Sequence, residues 1–191
     1  MMKTFISLLR GVNVSGQNKI HMPELKRLYE TLNLSNVVTY IQSGNVLFDC
    51  AEQDPTPLAR LIEAELARSF GVTVRVILRD INRFQQIIDT NPFSNQRKEE
   101  VEKLHITFLS DSLSETALSN LPLLADPKGY EAGRADEFLV FDREIYLFCP
   151  NGYGRTKYSN NFFERKLSLS ATTRNWKTVC ALNELAKLRQ P

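Results

Sequence analysis

Hydrophobic and polar positions change period repeatedly along this chain, and each change predicts an element. Residues 4–9 (TFISLL) read as a strand, and 10–19 (RGVNVSGQNK) as a polar loop carrying Gly11 and Gly16. Pro23 suits the first turn of a helix, and Leu25, Leu28, Tyr29 and Leu32 then recur at helical spacing. Strands are predicted over 37–41 and 46–48, joined by Gln42-Ser43-Gly44-Asn45, a hairpin-type connection in which Gly44 and Asn45 tolerate positive φ. A helix over 54–70 turns Leu58, Leu61, Ile62 and Leu66 inward and stops at Gly71. Residues 72–78 alternate as a strand. Asp80 then caps a helix with Ile81, Phe84, Ile87 and Ile88 inward.

This order, β-α-β-β-α-β plus one helix, is the split βαβ of ferredoxin-like domains. On that reading the loop after the first strand and the 42–45 hairpin lie at opposite ends of the sheet. Residues 91–102 (NPFSNQRKEEVE) are polar and charged and read as a linker between a 1–90 half and a 103–191 half. Beyond it come a strand over 104–109, a helix over 114–121 and a meander of strands over 130–133, 138–142 and 145–149. Helices over 159–167 and 174–188 close the sequence. The second half again begins β-α-β-β, so an internal structural duplication is expected. The fold class is α+β: two ferredoxin-like halves with extra C-terminal helices.

Composition narrows the function classes. With 42% hydrophobic and 24% charged residues in 191, the chain has the make-up of an ordinary globular protein. No apolar run approaches the roughly 20 residues of a membrane-spanning helix. The apolar start lacks a small-residue cleavage site, so it reads as a buried strand of a cytoplasmic protein. Cys50, Cys149 and Cys180 are far apart and His21 and His105 are the only histidines, which implies neither a disulfide framework nor a metal site. No cofactor motif of the GKS/T or GxGxxG kind occurs.

Charge, by contrast, is concentrated. Between Ile145 and Asn183 there are six Lys or Arg against one acid, Glu164, in a chain whose net charge is only +2. Within that stretch Gly152 and Gly154 flank Tyr153 and are followed by Arg155, Thr156 and Lys157. A Gly-rich turn with cations beside a helix start is a common means of holding an anion. The predicted partner is therefore a small phosphate- or carboxylate-bearing ligand. Its candidate residues are Gly152, Gly154, Arg155, Thr156, Lys157 and Arg174, with Arg10, Asn13 and Asn45 from the other polar loops extending the set. Thr172 and Thr173 are expected to cap the last helix beside Arg174. Trp176 is expected at that helix's first inward position.

Four segments resemble the bacterial domain-of-unknown-function family 1697: RGVNVSGQNKI (10–20), YIQSGNVLF (40–48), NGYGRTKYSNNFFERKL (151–167) and ATTRNWKTV (171–179). The resemblance covers essentially the whole chain. It implies an α+β fold of two ferredoxin-like halves and a cytoplasmic protein, and it implies no activity.

Two other chemistries fit parts of the sequence. Cys149, Gly152, Gly154, Arg155 and Thr156 match the signature loop of cysteine-dependent phosphatases, which needs a low-pKa thiolate nucleophile. The context differs, because Phe148 stands where those enzymes carry His and no acid loop is present. The basic C-terminal face also suits a nucleic-acid-binding module. However, Phe5 and Phe48 sit in core-like strands without the basic-aromatic signature of RNA readers. Ser43 has no histidine near it in sequence to complete a triad. His105, between Leu104 and Ile106, reads as a hydrogen-bonded residue on a sheet face.

Overall fold

The computed structural model describes residues 2–14, 18–52, 54–121 and 135–189. The expected strand over 130–133 lies outside them. Contacts divide the chain into Met1–Gln86 with Ala181–Pro191, and Ile87–Cys180.

The first unit begins with β1 (Lys3–Leu9), α1 (Met22–Thr31), β2 (Ser35–Tyr40) and β3 (Asn45–Cys50). It continues through α2 (Pro55–Phe70), β4 (Val76–Asp80) and α3 (Ile81–Asp89), the helix in which the boundary falls. The antiparallel sheet runs β2-β3-β1-β4. Phe5, Leu9, Val46, Phe48, Val76 and Leu78 share one face and pack with Leu25, Leu28 and Tyr29 of α1 and Leu58, Ile62 and Leu66 of α2. On the other face Ile6, Leu8, Leu47 and Ile77 are buried as well. Residues buried on both faces explain why these strands read as near-continuous apolar runs.

The second unit holds α4 (Pro92–Asn95), β5 (Leu104–Leu109), α5 (Glu115–Ser119), β6 (Glu137–Phe141) and β7 (Glu144–Phe148). α6 (Asn160–Leu167) and β8 (Ala171–Asn175) follow, and α7 (Trp176–Lys187) leads out of the unit. Its sheet runs β6-β7-β5-β8, the same order as the first. The correspondence reaches single hydrogen bonds. Leu9 N donates to Gly44 O at 2.9 Å, and Leu109 N to Arg143 O at 2.9 Å. Glu63 Oε1 accepts from Val76 N at 2.8 Å, and Glu164 Oε1 accepts from Ala171 N at 3.0 Å. Asp80 Oδ1 accepts from Arg83 N, and Asn175 Oδ1 from Thr178 N, so each final strand passes straight into a helix that its last residue caps.

Several expectations are corrected. Ala171–Asn175 is a strand, paired with β5, so Thr172 and Thr173 do not cap the last helix; Asn175 does, and the helix starts at Trp176. Thr172 and Thr173 are β-branched and favour a pleated strand over the polar corner they suggest. Within 91–102, Asn91 caps α4, Phe93 is buried, and Arg97 lies 5.0 Å from the Phe93 ring while pairing with Glu137 at 2.8 Å. The strand expected over 72–78 is β4, confined to Val76–Asp80. Leu61 is 50% exposed, because the buried stripe of α2 runs through Leu58, Ile62 and Leu66.

The loop after β1 and the β2–β3 hairpin lie at the same end of the sheet, as Leu8 pairs with Asn45 and Leu9 N bonds Gly44 O. Helix α1 carries the backbone back, so β1 and β2 run parallel and both finish at that end. In the hairpin Gly44 takes positive φ as expected, but its companion there is Ile41 rather than Asn45. Gly44 has a second constraint, since a Cβ would stand 2.8 Å from Leu9 Cβ.

Candidate functional site

The segment between β7 and α6 is built by local hydrogen bonds. Cys149 N donates to Lys103 O at 2.8 Å, extending the β5–β7 pairing by one step. Gly152 N donates to Cys149 O at 2.9 Å, closing a turn with Pro150 in its second position, where a fixed φ suits it. Gly152 has φ 87 and ψ 146, a combination essentially reserved for glycine. A short 3-10 turn, Tyr153–Arg155, follows, with Arg155 N donating to Gly152 O and Thr156 N to Tyr153 O. Ser159 then caps α6 through Phe162 N at 3.4 Å.

This arrangement leaves Asn151, Gly152, Gly154, Arg155 and Lys157 on the surface. Added Cβ atoms at Gly152 and Gly154 would meet open space within 4 Å. Lys157 Nζ lies 5.1 Å from the Tyr158 ring centroid, a cation–π contact. Arg155 and Lys157 form no ion pair with the described residues, whereas Lys177, farther along the basic stretch, pairs with Glu102 at 2.7 Å. Thr156 is half-buried and turned inward: its hydroxyl accepts from Tyr158 N at 3.1 Å and bonds the Cys149 thiol.

Tyr153 ties this loop to the sheet. Its ring stacks on the His105 imidazole, with centroids 4.9 Å apart and planes 25° from parallel. Its hydroxyl donates to Thr173 Oγ1 at 3.0 Å. Thr173 Oγ1 also contacts Thr107 Oγ1 at 2.7 Å and donates to Asn160 Oδ1 at 2.6 Å. One hydroxyl thus gathers the loop, two strands and the start of α6. His105 is buried, with its Nδ1 unpartnered among the described residues, and burial lowers its pKa, with a bond to the Lys103 backbone working the other way. Sequence reasoning placed His105 on a sheet face but missed this polar seam. The signal was available: His105 and Thr107 alternate on β5, and Thr173 pairs directly with Thr107.

The other candidates take part in hydrogen bonds within the fold. Arg174 is buried at 8% exposure, on the face of β8 opposite Thr173. Its Nη1 donates to Thr172 Oγ1 at 2.7 Å and Thr173 O at 2.9 Å, and burial lowers its pKa to about 10, leaving it a cation at neutral pH. It does not face solvent beside a helix start, as the sequence suggested. Arg79, which the sequence did not single out, is its counterpart: Arg79 pairs with Ile6 as Arg174 pairs with Ile106, and its Nη1 donates to Leu78 O at 2.9 Å.

Asn13 is a loop brace. Its side chain donates to Ile20 O at 2.9 Å and Gln42 O at 2.8 Å and accepts from Ile20 N, joining the first loop to the hairpin. Asn45 is fully buried and donates to Tyr40 O and Ser43 Oγ. Arg10 is half-buried, and its N–H donates to Arg75 O at 2.9 Å.

Cys149 lacks the character of a phosphatase nucleophile. Burial pushes its thiol up, the Asp136 charge adds to the rise, and the Thr156 bond offsets part, leaving a pKa of about 11. The donors that would cradle a phosphate around the sulfur are also engaged, Gly152 N–H on Cys149 O and Arg155 N–H on Gly152 O. Among the described residues, no group of three His, Cys, Asp or Glu side chains is placed to hold a metal ion, and no helix is long and apolar enough to cross a membrane.

Among the described residues, two four-stranded sheets and seven α-helices define an α+β protein of two similar halves. The chain belongs to the family described as "Protein of unknown function (DUF1697)", whose model matches residues 2–146. The basic loop lies beyond the matched part. A solved structure described as the conserved bacterial protein SP0830 from Streptococcus pneumoniae is similar in fold, with a TM-score of 0.73 at 22% identity, covering 97% of this chain and 99% of that one. No curated protein matches the chain.

Proposed function

We propose that the loop over 150–157 binds a small anion bearing a phosphate or carboxylate, with Arg155 and Lys157 supplying charge and the glycine backbone at 152 and 154 allowing close approach. The observation that carries this reading is the pairing state of the two cations. Both are exposed and outside any ion pair with the described residues, in a loop held at both ends by the sheet and by the Tyr153–Thr173 bond. A fixed loop with two charges unpaired among the described residues loses little entropy on receiving an anion. Thr156 and Arg174 hold the frame and do not touch the ligand. The protein works in the cytoplasm, where small phosphorylated metabolites are plentiful.

Titration with inorganic phosphate and simple carboxylates, followed by amide chemical shifts, tests this directly. Shifts should cluster at 151–157, and Arg155→Ala with Lys157→Ala should abolish them. Absence of any perturbation at millimolar-range ligand would overturn the proposal. Binding of single-stranded or duplex nucleic acid, weakening steeply with added salt, would instead assign the basic face to a polymer with many phosphates.

A further inference from the structure

We propose that Asn151 is a self-modification site, at which spontaneous deamidation adds a negative charge to the basic loop. Asn151-Gly152 is the single Asn-Gly step in the sequence. Both residues are exposed, and the missing side chain of Gly152 leaves open space within 4 Å. Glycine is the successor that least hinders attack of its own backbone nitrogen on the preceding side-chain amide.

The step balances without any enzyme. The Gly152 nitrogen attacks Asn151 Cγ, a new C–N bond forms there, and the Cγ–Nδ2 bond breaks. Ammonia leaves with the proton from the Gly152 N–H, and a five-membered imide remains. Water then opens the imide at either carbonyl, giving aspartate or isoaspartate. Amide plus water thus becomes carboxylate plus ammonium.

Two consequences follow from the geometry. The attacking N–H is the one that closes the turn onto Cys149 O at 2.9 Å, so the turn must open first and the folded protein reacts more slowly than a free peptide. The new carboxylate then sits in the same loop as Arg155 and Lys157 and competes with an external anion for them. This second consequence rests on the anion-binding reading; the chemistry does not.

The full-length protein, held at mildly alkaline pH and digested with trypsin, gives the peptide bounded by Glu144 and Arg155. That peptide should gain one mass unit and split into aspartyl and isoaspartyl forms ahead of every other Asn-containing peptide. Aged protein and Asn151→Asp should bind inorganic phosphate about two- to fivefold more weakly than fresh protein. Asn151→Gln should resist the change and keep its affinity. A peptide still amidated after other asparagines have turned over would overturn the site, and equal affinity of fresh and aged protein would overturn its effect on the loop. Conversion of the peptide with no phosphate binding by either form would leave the modification standing and remove the anion-binding reading.

Discussion

The two halves agree at their joints and differ in their loops. In each, the strand before the final helix carries a buried arginine followed by the capping residue, Arg79-Asp80 in one and Arg174-Asn175 in the other. In each, a glutamate from the preceding helix accepts from the first N–H of that strand. The departures are larger. Twelve residues separate β1 from α1, but only five separate β5 from α5. Between β3 and α2 there are four residues, and between β7 and α6 eleven. A feature repeated in both halves is explained by the architecture they share. A feature of one half alone needs another reason, and the basic loop is the clearest such feature in the second.

The comparison is tested most strongly at the paired arginines. Arg79→Ala and Arg174→Ala should each destabilise the protein by about 2–4 kcal/mol, through lost charged hydrogen bonds and lost packing of the stem. Similar losses in urea melts would fix both as architectural. A normal melt for Arg174→Ala together with lost phosphate binding would return Arg174 to the ligand site.

Gly44 and Gly152 come next. Both have positive φ, but only Gly44 is also crowded: an added methyl group would stand 2.8 Å from Leu9 Cβ there, and in open space at Gly152. Gly44→Ala should therefore cost about 3 kcal/mol and Gly152→Ala about 1–2 kcal/mol. A loss of only about 1 kcal/mol at Gly44→Ala, no more than positive φ alone supplies, would show that crowding adds nothing at the hairpin.

These contrasts also show what could be read from residues alone. β7 was legible because Ile145 to Phe148 are four consecutive apolar residues, β5 because Leu104, Ile106 and Phe108 alternate, and Asp80 announced its helix as a cap. β8 was not legible. Its Ala-Thr-Thr-Arg-Asn carries too little apolar signal, and its burial depends on pairing with β5, more than sixty residues earlier in the sequence. Missing it concealed the completeness of the second half. It also turned Arg174 into an apparent surface cation and hid Thr173 as the partner of Tyr153. The exposed positions of the loop, Gly152, Gly154, Arg155 and Lys157, were legible because charge and glycine spacing are local properties.

A subtler asymmetry lies at His105, which occupies in β5 the position Phe5 holds in β1: Phe5 pairs with Asp80, and His105 with Asn175. Burial lowers the His105 pKa below its ordinary value of 6.5, so the unfolded state takes up the proton first. The stability that depends on the neutral ring is fully present above that value and is lost as pH falls through the lower folded one. His105→Phe, which gives the second half the residue of the first, should flatten this part of the pH–stability curve measured by urea melts. An unchanged slope would place the acid sensitivity elsewhere.

The smallest effect separates Cys149 from Cys50, the residues that end the corresponding strand runs. Cys50 is half-buried and accepts from Glu52 N at 3.4 Å, whereas Cys149 is fully buried with a thiol pKa of about 11. Alkylation requires both access and thiolate, and Cys149 has little of either near neutral pH. Iodoacetamide followed by peptide mass analysis should therefore label Cys50 and Cys180 first and Cys149 last, the latter at a rate set by opening of the fold. Rapid modification of Cys149 in the native protein, prevented by phosphate, would reverse the assignment. It would make the Cys-Pro-Asn-Gly-Tyr-Gly-Arg-Thr segment a reactive centre, and the second half's extra loop would then serve catalysis in place of simple anion retention.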